Sequence, residues 1–312
     1  MNSAAHNTQV SGGGTVGNGR TPVFWKAGLV LVCILPFLMM WDLTRALYAL
    51  VLTDATYSHL PFIPLISAYL IYTERQSVFY RTSHGWRPGS ALAVAGVAGM
   101  LLAQANLWQW SMANRLSLMV FGLVLLWIGV FVLQFGIRAS RAAQFSLLFL
   151  LFAVPIPEWV LSKIIFRLQK GSADASEIFF DLIGMPYFRR DFDFVLASVT
   201  IRVAEECSGI RSTLALVLSS ALAGHFFLKS NLRIFILCVL VIPISILKNG
   251  VRIVTLSYLA VNVDPGFLTG PLHHRGGTVF FILALLMAAV VLMVLRRFER
   301  RPLNREPDLA IP

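Results

Sequence analysis

The stretch Ala204 to Thr213, A-E-E-C-S-G-I-R-S-T, sets two carboxylates, a thiol and a guanidinium within seven residues, just before a long apolar run. Of these groups the thiol is the one that forms covalent bonds to a substrate, because its deprotonated form is a strong nucleophile. A helix expected to begin at about Ser208 puts Cys207 at or near its N-terminus, where unpaired N–H groups and the positive end of the dipole favour the thiolate. A Cys beside Ser-Gly also suits a tight turn simply by being small, and this stretch alone admits both roles. Glu205 and Glu206 can orient a histidine, pair with a base or help bind substrate. As like charges beside the thiol they oppose thiolate formation, so at least one of them calls for a basic partner.

A second group lies in L-K-N-G-V-R-I, Leu247 to Ile253, inside an apolar run. Lys248 and Arg252 are four apart, hence on one helical face, and charge at membrane depth is costly unless paired or wet. Arginine does not act as a base, so Arg252 is suited to holding a thiolate, clamping a carboxylate or stabilising an oxyanion. Snorkelling to headgroups is the alternative for both side chains, but it does not explain why Asn249 and Gly250 stand between them. A third group is P-L-H-H-R-G-G, Pro271 to Gly277, where His273 or His274 can shuttle protons near neutral pH or simply be solvated. A fourth is Y-S-H, Tyr57 to His59, with no assigned role. A nucleophile, an acid–base and a charge stabiliser are the parts of an acyl-transfer site.

These residues must be positioned within a membrane. Of 312 residues 57% are apolar and 13% charged, with mean hydropathy +0.74, whereas soluble domains carry about 25% charged residues. Apolar runs near or above the bilayer-spanning length recur along the whole chain and leave no room for a soluble catalytic domain. The net charge of +11 is scattered between those runs rather than gathered on one face, which argues for topology signals and against nucleic acid. Cys33 and Cys238 sit inside apolar runs and are expected to be packing residues, and three dispersed cysteines make no disulfide framework.

The chain is expected to be an all-α integral membrane protein of about eight transmembrane helices, near 23–41, 58–73, 90–109, 116–136, 143–165, 209–228, 233–260 and 277–295. Pro61 and Pro64 fall in the first turns of the second span, where a missing N–H costs least. In the third, Ala91, Ala95 and Gly99 are small residues at helical spacing that admit a close neighbour. Arg20, Lys26, Arg75, Arg81, Arg87, Arg138, Arg141, Lys229, Arg233 and the bases from Arg296 onward alternate with loops bearing only Arg45, Arg115 and Arg275. The positive-inside rule then places both termini in the cytoplasm. Residues 1–22 read as a disordered tail, 23–298 as the membrane catalytic domain and 299–312 as a basic tail. The outer loop 166–206, before the sixth helix, reads as an interfacial helix followed by a short β-hairpin of roughly 188–195 and 199–204.

E-C-S-G-I-R-S around Cys207, N-G-V-R-I around Arg252, H-H-R-G-G-x-x-F-F from His273, Y-S-H-L-P-F-I-P-L-I-S-A-Y-L from Tyr57 and the P-x-P of Pro155 and Pro157 resemble the exosortase/archaeosortase family of membrane cysteine transpeptidases. The likeness runs from about residue 25 to 298. It implies an enzyme of the cytoplasmic (inner) membrane with its site on the extracytoplasmic face. Such an enzyme cleaves the C-terminal sorting signal of exported proteins (a Pro-Glu-Pro-like motif, a transmembrane helix and a basic tail) and hands the new C-terminus to an unknown acceptor, often beside exopolysaccharide production. It also implies Cys207 as nucleophile, Arg252 as the arginine and His273 as the histidine, with His274 the alternative. Glu205, Glu206, Ser208, Arg211, Lys248, Asn249 and His59 are the supporting or substrate-binding candidates. Membrane lipids surround the chain, and no cofactor or metal is expected. Two other readings stand beside this one. A transporter could bind an anionic or lipid-linked substrate on Lys248 and Arg252, although the inverted repeats of carriers are not evident. A metalloprotease would use His59, His273 and Glu205 or Glu206, although no H-E-x-x-H is present.

Overall fold

The computed structural model describes residues 35–80, 85–204, 209–268 and 277–299. Residues 1–41 and residues 42–312 separate into two compact units. Of the first only residues 35–41 are described, helical over 35–39, so most of the expected span 23–41 and Cys33 lie outside the described residues. The second unit holds the remaining elements.

Its helices are α1 (Trp41–Thr53), α2 (Phe62–Thr73), the single turn α3 (Arg75–Val78), α4 (Trp86–Ala105), α5 (Met112–Ala142), α6 (Gln144–Phe149), α7 (Glu158–Leu182), α8 (Ile210–Phe227), α9 (Asn231–Asn262) and α10 (Gly277–Glu299). Among the described residues five of these, α4, α5, α8, α9 and α10, are long and apolar enough to cross a membrane. The count becomes six if α6 with its 3-10 extension and α7 are one bent span. The protein is thus an all-α multi-pass membrane protein, but the expected eight spans are corrected. The second expected span, 58–73, is a helix of only 12 residues, about 18 Å long against a roughly 30 Å hydrocarbon layer. The fifth, 143–165, is broken. The chain turns by 91° between Ala153 and Glu158, because each proline of Val154-Pro155-Ile156-Pro157 disfavours the helical region for its predecessor.

A helix is present where the interfacial helix was expected, but it begins at Glu158 rather than near 166. It buries one stripe, Leu168, Gln169, Ser172, Ala173, Ala175, Ser176 and Phe180. The expected two-stranded hairpin is a three-stranded antiparallel sheet, β1 (Phe188–Arg190), β2 (Asp193–Val195) and β3 (Thr200–Arg202), in that order. The extra turn falls at Asp191, whose φ of 53° is one that Asp tolerates better than most residues. Phe194, Leu196 and Val203 pack with Ala173 and Phe180 of α7 and Ile253 and Val254 of α9. Arg189 ties the sheet to α7, meeting Asp174 at 2.8 Å and also Glu177.

Helices α4 and α5 form a close antiparallel hairpin, as the small residues of α4 led one to expect, but of Ala91, Ala95 and Gly99 only Gly99 meets α5, a Cβ there standing 3.7 Å from the Gly122 Cα. Ala91 and Ala95 are exposed; the tightest part of the seam runs through Gly89 and Gly96 against Gly129 and Gly122. A Cβ on Gly96 would stand 2.5 Å from the Gly122 carbonyl oxygen, and one on Gly122 would stand 2.6 Å from that of Gly96. Backbone cannot yield as a side chain can. Gly122→Val is therefore expected to destabilise the fold by about 1–3 kcal/mol, read as a lowered Tm of the detergent-solubilised protein. An unchanged Tm would show that the helices separate freely here.

At one end of the bundle the His225 Nε2 lies 2.9 Å from Glu74 Oε1 and its ring stacks on Phe145 with centroids 3.9 Å apart. The Glu299 carboxylate accepts from the backbone N–H groups of Lys229 and Ser230 and pairs with Arg233 at 3.1 Å. At the opposite end Ser111 donates to Glu158 at 2.6 Å and the Glu158 N–H donates to Asn114 at 2.9 Å, joining the starts of α5 and α7. Cys238 packs half-buried between apolar clusters, as its apolar context indicated.

Candidate functional site

Helix α9 is a strut between α7 and α8, and the two residues that separate Lys248 from Arg252 make it so. Gly250 lets α7 approach, since a Cβ there would meet the Ala175 Cβ at 2.9 Å. The Asn249 side chain donates to Ser172 at 2.9 Å. The neighbouring face of α9 carries Ser245, Lys248 and Arg252, spaced by three and four residues, and turns toward α8. Ser245 shares a hydrogen bond with Thr213, and the Lys248 Nζ donates to the Ser212 Oγ at 2.7 Å. Lys248 is only 4% exposed.

Both flanks of the stretch carrying Cys207 are anchored. On one side the buried Gln169 donates to the Val203 carbonyl, and the Val203 N–H donates to Phe192 at 2.9 Å. On the other, Gly209 has φ +77°, a conformation that glycine enters freely and other residues at a cost. Its carbonyl accepts from the Thr213 N–H, the Thr213 hydroxyl and the Ser212 hydroxyl, each at 2.9 Å. A Cβ on Gly209 would stand 3.5 Å from the Asn249 side chain. The start of α8 is therefore fixed by its own turn and by α9.

A cavity of about 700 Å³ lies at this end of the bundle, lined from four directions. The turn before α2 contributes Asp54 and His59, α8 contributes Gly209 to Ser212, α9 contributes Lys248 and Arg252, and α10 contributes Gly277 and Thr278. Asp54 caps the 3-10 turn Ala55–Tyr57 by accepting from the Thr56 N–H at 2.8 Å. His59 is half-buried. Burial holds its imidazole below the usual range, and the backbones of Thr56 and Phe152, which favour the charged form, do not offset that.

Of the residues singled out in the sequence, Arg252, Lys248, Arg211 and His59 line this one cavity, although they come from three separate segments. Asn249 is not in its wall but braces it through Ser172. Glu205, Glu206, Cys207, Ser208, His273 and His274 lie outside the described residues. Ser212, Asp54 and Thr278 were not anticipated. A serine one turn into a helix, or a lone Asp or Thr beside a turn, carries no sign of such a role in the sequence.

A family model described as Transmembrane exosortase matches residues 51–290. The chain belongs to the transmembrane exosortase family. No curated protein and no solved structure matches it. The matched segment of this exosortase contains every residue lining the cavity, together with Cys207, His273 and His274.

Proposed function

We propose that this exosortase is a cysteine transpeptidase that cleaves C-terminal sorting signals of exported proteins, with Cys207, Arg252 and His273 (or His274) acting around the cavity. The observation that carries the reading is that Gly209 and Gly277 line the same cavity as Arg252. Gly209 is two residues from Cys207 and Gly277 four from His273, so covalent geometry holds the thiol-bearing residue within about 8 Å of Gly209 and the histidine within about 15 Å of Gly277. Two helix starts and the guanidinium groups of Arg211 and Arg252 at the cavity supply the positive field that a thiolate and an oxyanion need.

In this reading the Cys207 thiolate attacks a substrate peptide carbonyl, and Arg252 stabilises the oxyanion. His273 protonates the leaving amine. The C–N bond breaks, leaving a thioester on Cys207, and an acceptor amine or water resolves it. Because bases flanking the spans mark the cytoplasmic side, the end of the bundle carrying Lys229, Arg233, Arg296 and Arg297 lies in the cytoplasm. The cavity at the other end then opens outside the inner membrane, where exported proteins pass. Residues 1–22 and 299–312 are cytoplasmic tails of the membrane domain 23–298.

The test is the C-terminal mass of an exported reporter ending in a Pro-Glu-Pro motif, an apolar helix and a basic tail, co-expressed with the full-length exosortase. The expected result is loss of the helix and tail, with any added mass reporting the acceptor. A reporter that keeps its full mass would overturn the proposal.

A further inference from the structure

Lys248 has no place in that scheme, yet it is among the most conspicuous groups in the cavity. It is a buried cation that, among the described residues, has no carboxylate within 4.0 Å. Its partner is a hydroxyl, Ser212 Oγ, at 2.7 Å. That hydroxyl is itself directed to the Gly209 carbonyl at 2.9 Å, at the end of the stretch that carries Cys207. A permanent positive charge is already present one turn along the same face, in Arg252. What a lysine adds to an arginine is the capacity to give up and take back a proton, and a hydroxyl set between an amine and a cavity is a route for moving one.

We infer that Ser212 and Lys248 form a proton relay that activates the acceptor in the second half of the reaction, the resolution of the Cys207 thioester. This rests on the transpeptidase reading and deepens it. The acceptor, water or a neutral amine, enters the cavity and attacks the thioester carbonyl carbon. Its proton passes to Ser212 Oγ while the Ser212 proton passes to Lys248, which takes part as the uncharged amine and becomes the ammonium. The tetrahedral intermediate collapses, the C–S bond breaks, and the acyl group leaves on the acceptor. The sulfur leaves as the thiolate, and Lys248 passes its proton back through Ser212 and cavity water to His273, restoring the starting state. Ser212 faces the acceptor, and Lys248 acts through it as a positioning and proton-holding residue. The first half-reaction, in which His273 serves the leaving amine, does not use the pair.

The experiment separates formation of the thioester from its resolution. Wild-type, Ser212→Ala, Lys248→Met and Lys248→Arg forms of the full-length exosortase are purified with the same reporter. The reporter–enzyme adduct is followed by gel shift, with and without hydroxylamine. In Ser212→Ala and Lys248→Met the adduct is expected to accumulate at least tenfold over wild type while its rate of formation changes less than threefold. Hydroxylamine, a strong nucleophile that needs no base, releases it. Lys248→Arg is expected to behave like Lys248→Met, because an arginine keeps the charge and cannot relay a proton. Recovery of wild-type behaviour by Lys248→Arg, or equal loss of formation and resolution in Ser212→Ala, would overturn the relay and leave the pair a structural brace. Ser212→Ala removes a single oxygen and guards against failure of the lysine variants to fold. Absence of any hydroxylamine-sensitive adduct even in a cleaving wild type refutes the thioester itself, a different outcome from failure of the relay.

Discussion

Cys207→Ala is expected to reduce release of the sorting segment by about 10³-fold or more, since knocking out the nucleophile of a covalent site removes nearly all that the acid–base groups contribute. Cys207→Ser should be nearly as inactive. A serine hydroxyl stays protonated where a cysteine ionises, and the field of two helix starts with Arg211 and Arg252 favours a thiolate far more than it activates an alcohol. The measurement is the rate of reporter shortening in membranes with matched amounts of enzyme. Size-exclusion behaviour of the purified variant serves as the check on folding. Alkylating the wild-type protein with iodoacetamide should give the same loss, and activity left in Cys207→Ala should be indifferent to the reagent, although Cys33 and Cys238 remain. Undiminished shortening by Cys207→Ala would remove the thiol from the mechanism.

Arg252→Gln is expected to lower the cleavage rate by about 10² to 10³-fold, equivalent to roughly 2.7–4 kcal/mol of transition-state stabilisation, the usual effect of deleting one oxyanion donor from a preorganised site. Arg252→Lys keeps the charge but loses the planar fork, so it should recover only part of the activity. The two roles open to the guanidinium separate by the alkylation rate of Cys207 in the variant. If Arg252 holds the thiolate, alkylation slows together with cleavage. If it stabilises the oxyanion alone, cleavage falls and alkylation does not. Full activity in Arg252→Gln would exclude both.

These outcomes bear on a site that was partly legible in the chain. Lys248 and Arg252 declared themselves because charge inside an apolar run is costly and so calls for a reason. The start of α8 at Ile210 and of α10 at Gly277 matched the onset of apolar runs, and both lie within two residues of expectation. Ser212 did not declare itself, because a serine one turn into a helix is common and acquires meaning only when Lys248, 36 residues away, is found 2.7 Å from it. Asn249 and Gly250 were recognised as needing an explanation, and packing supplied it. One bonds to Ser172, and the other admits Ala175.

The sequence by itself determined the class of the molecule and the places of α4, α5, α8, α9 and α10, the five described helices whose apolar runs are long enough to cross. These properties are set residue by residue, by transfer free energy. Only the tertiary structure decided that the run from 143 to 165 bends by 91° instead of crossing straight, that residues 188–202 form three strands, and that the α4 seam runs through Gly89 and Gly96 and not through Ala91 and Ala95. It also decided that segments around residues 54, 209, 248 and 277 wall a single cavity. Such facts depend on which surfaces meet, and periodicity along one helix is blind to the partner that will cover it.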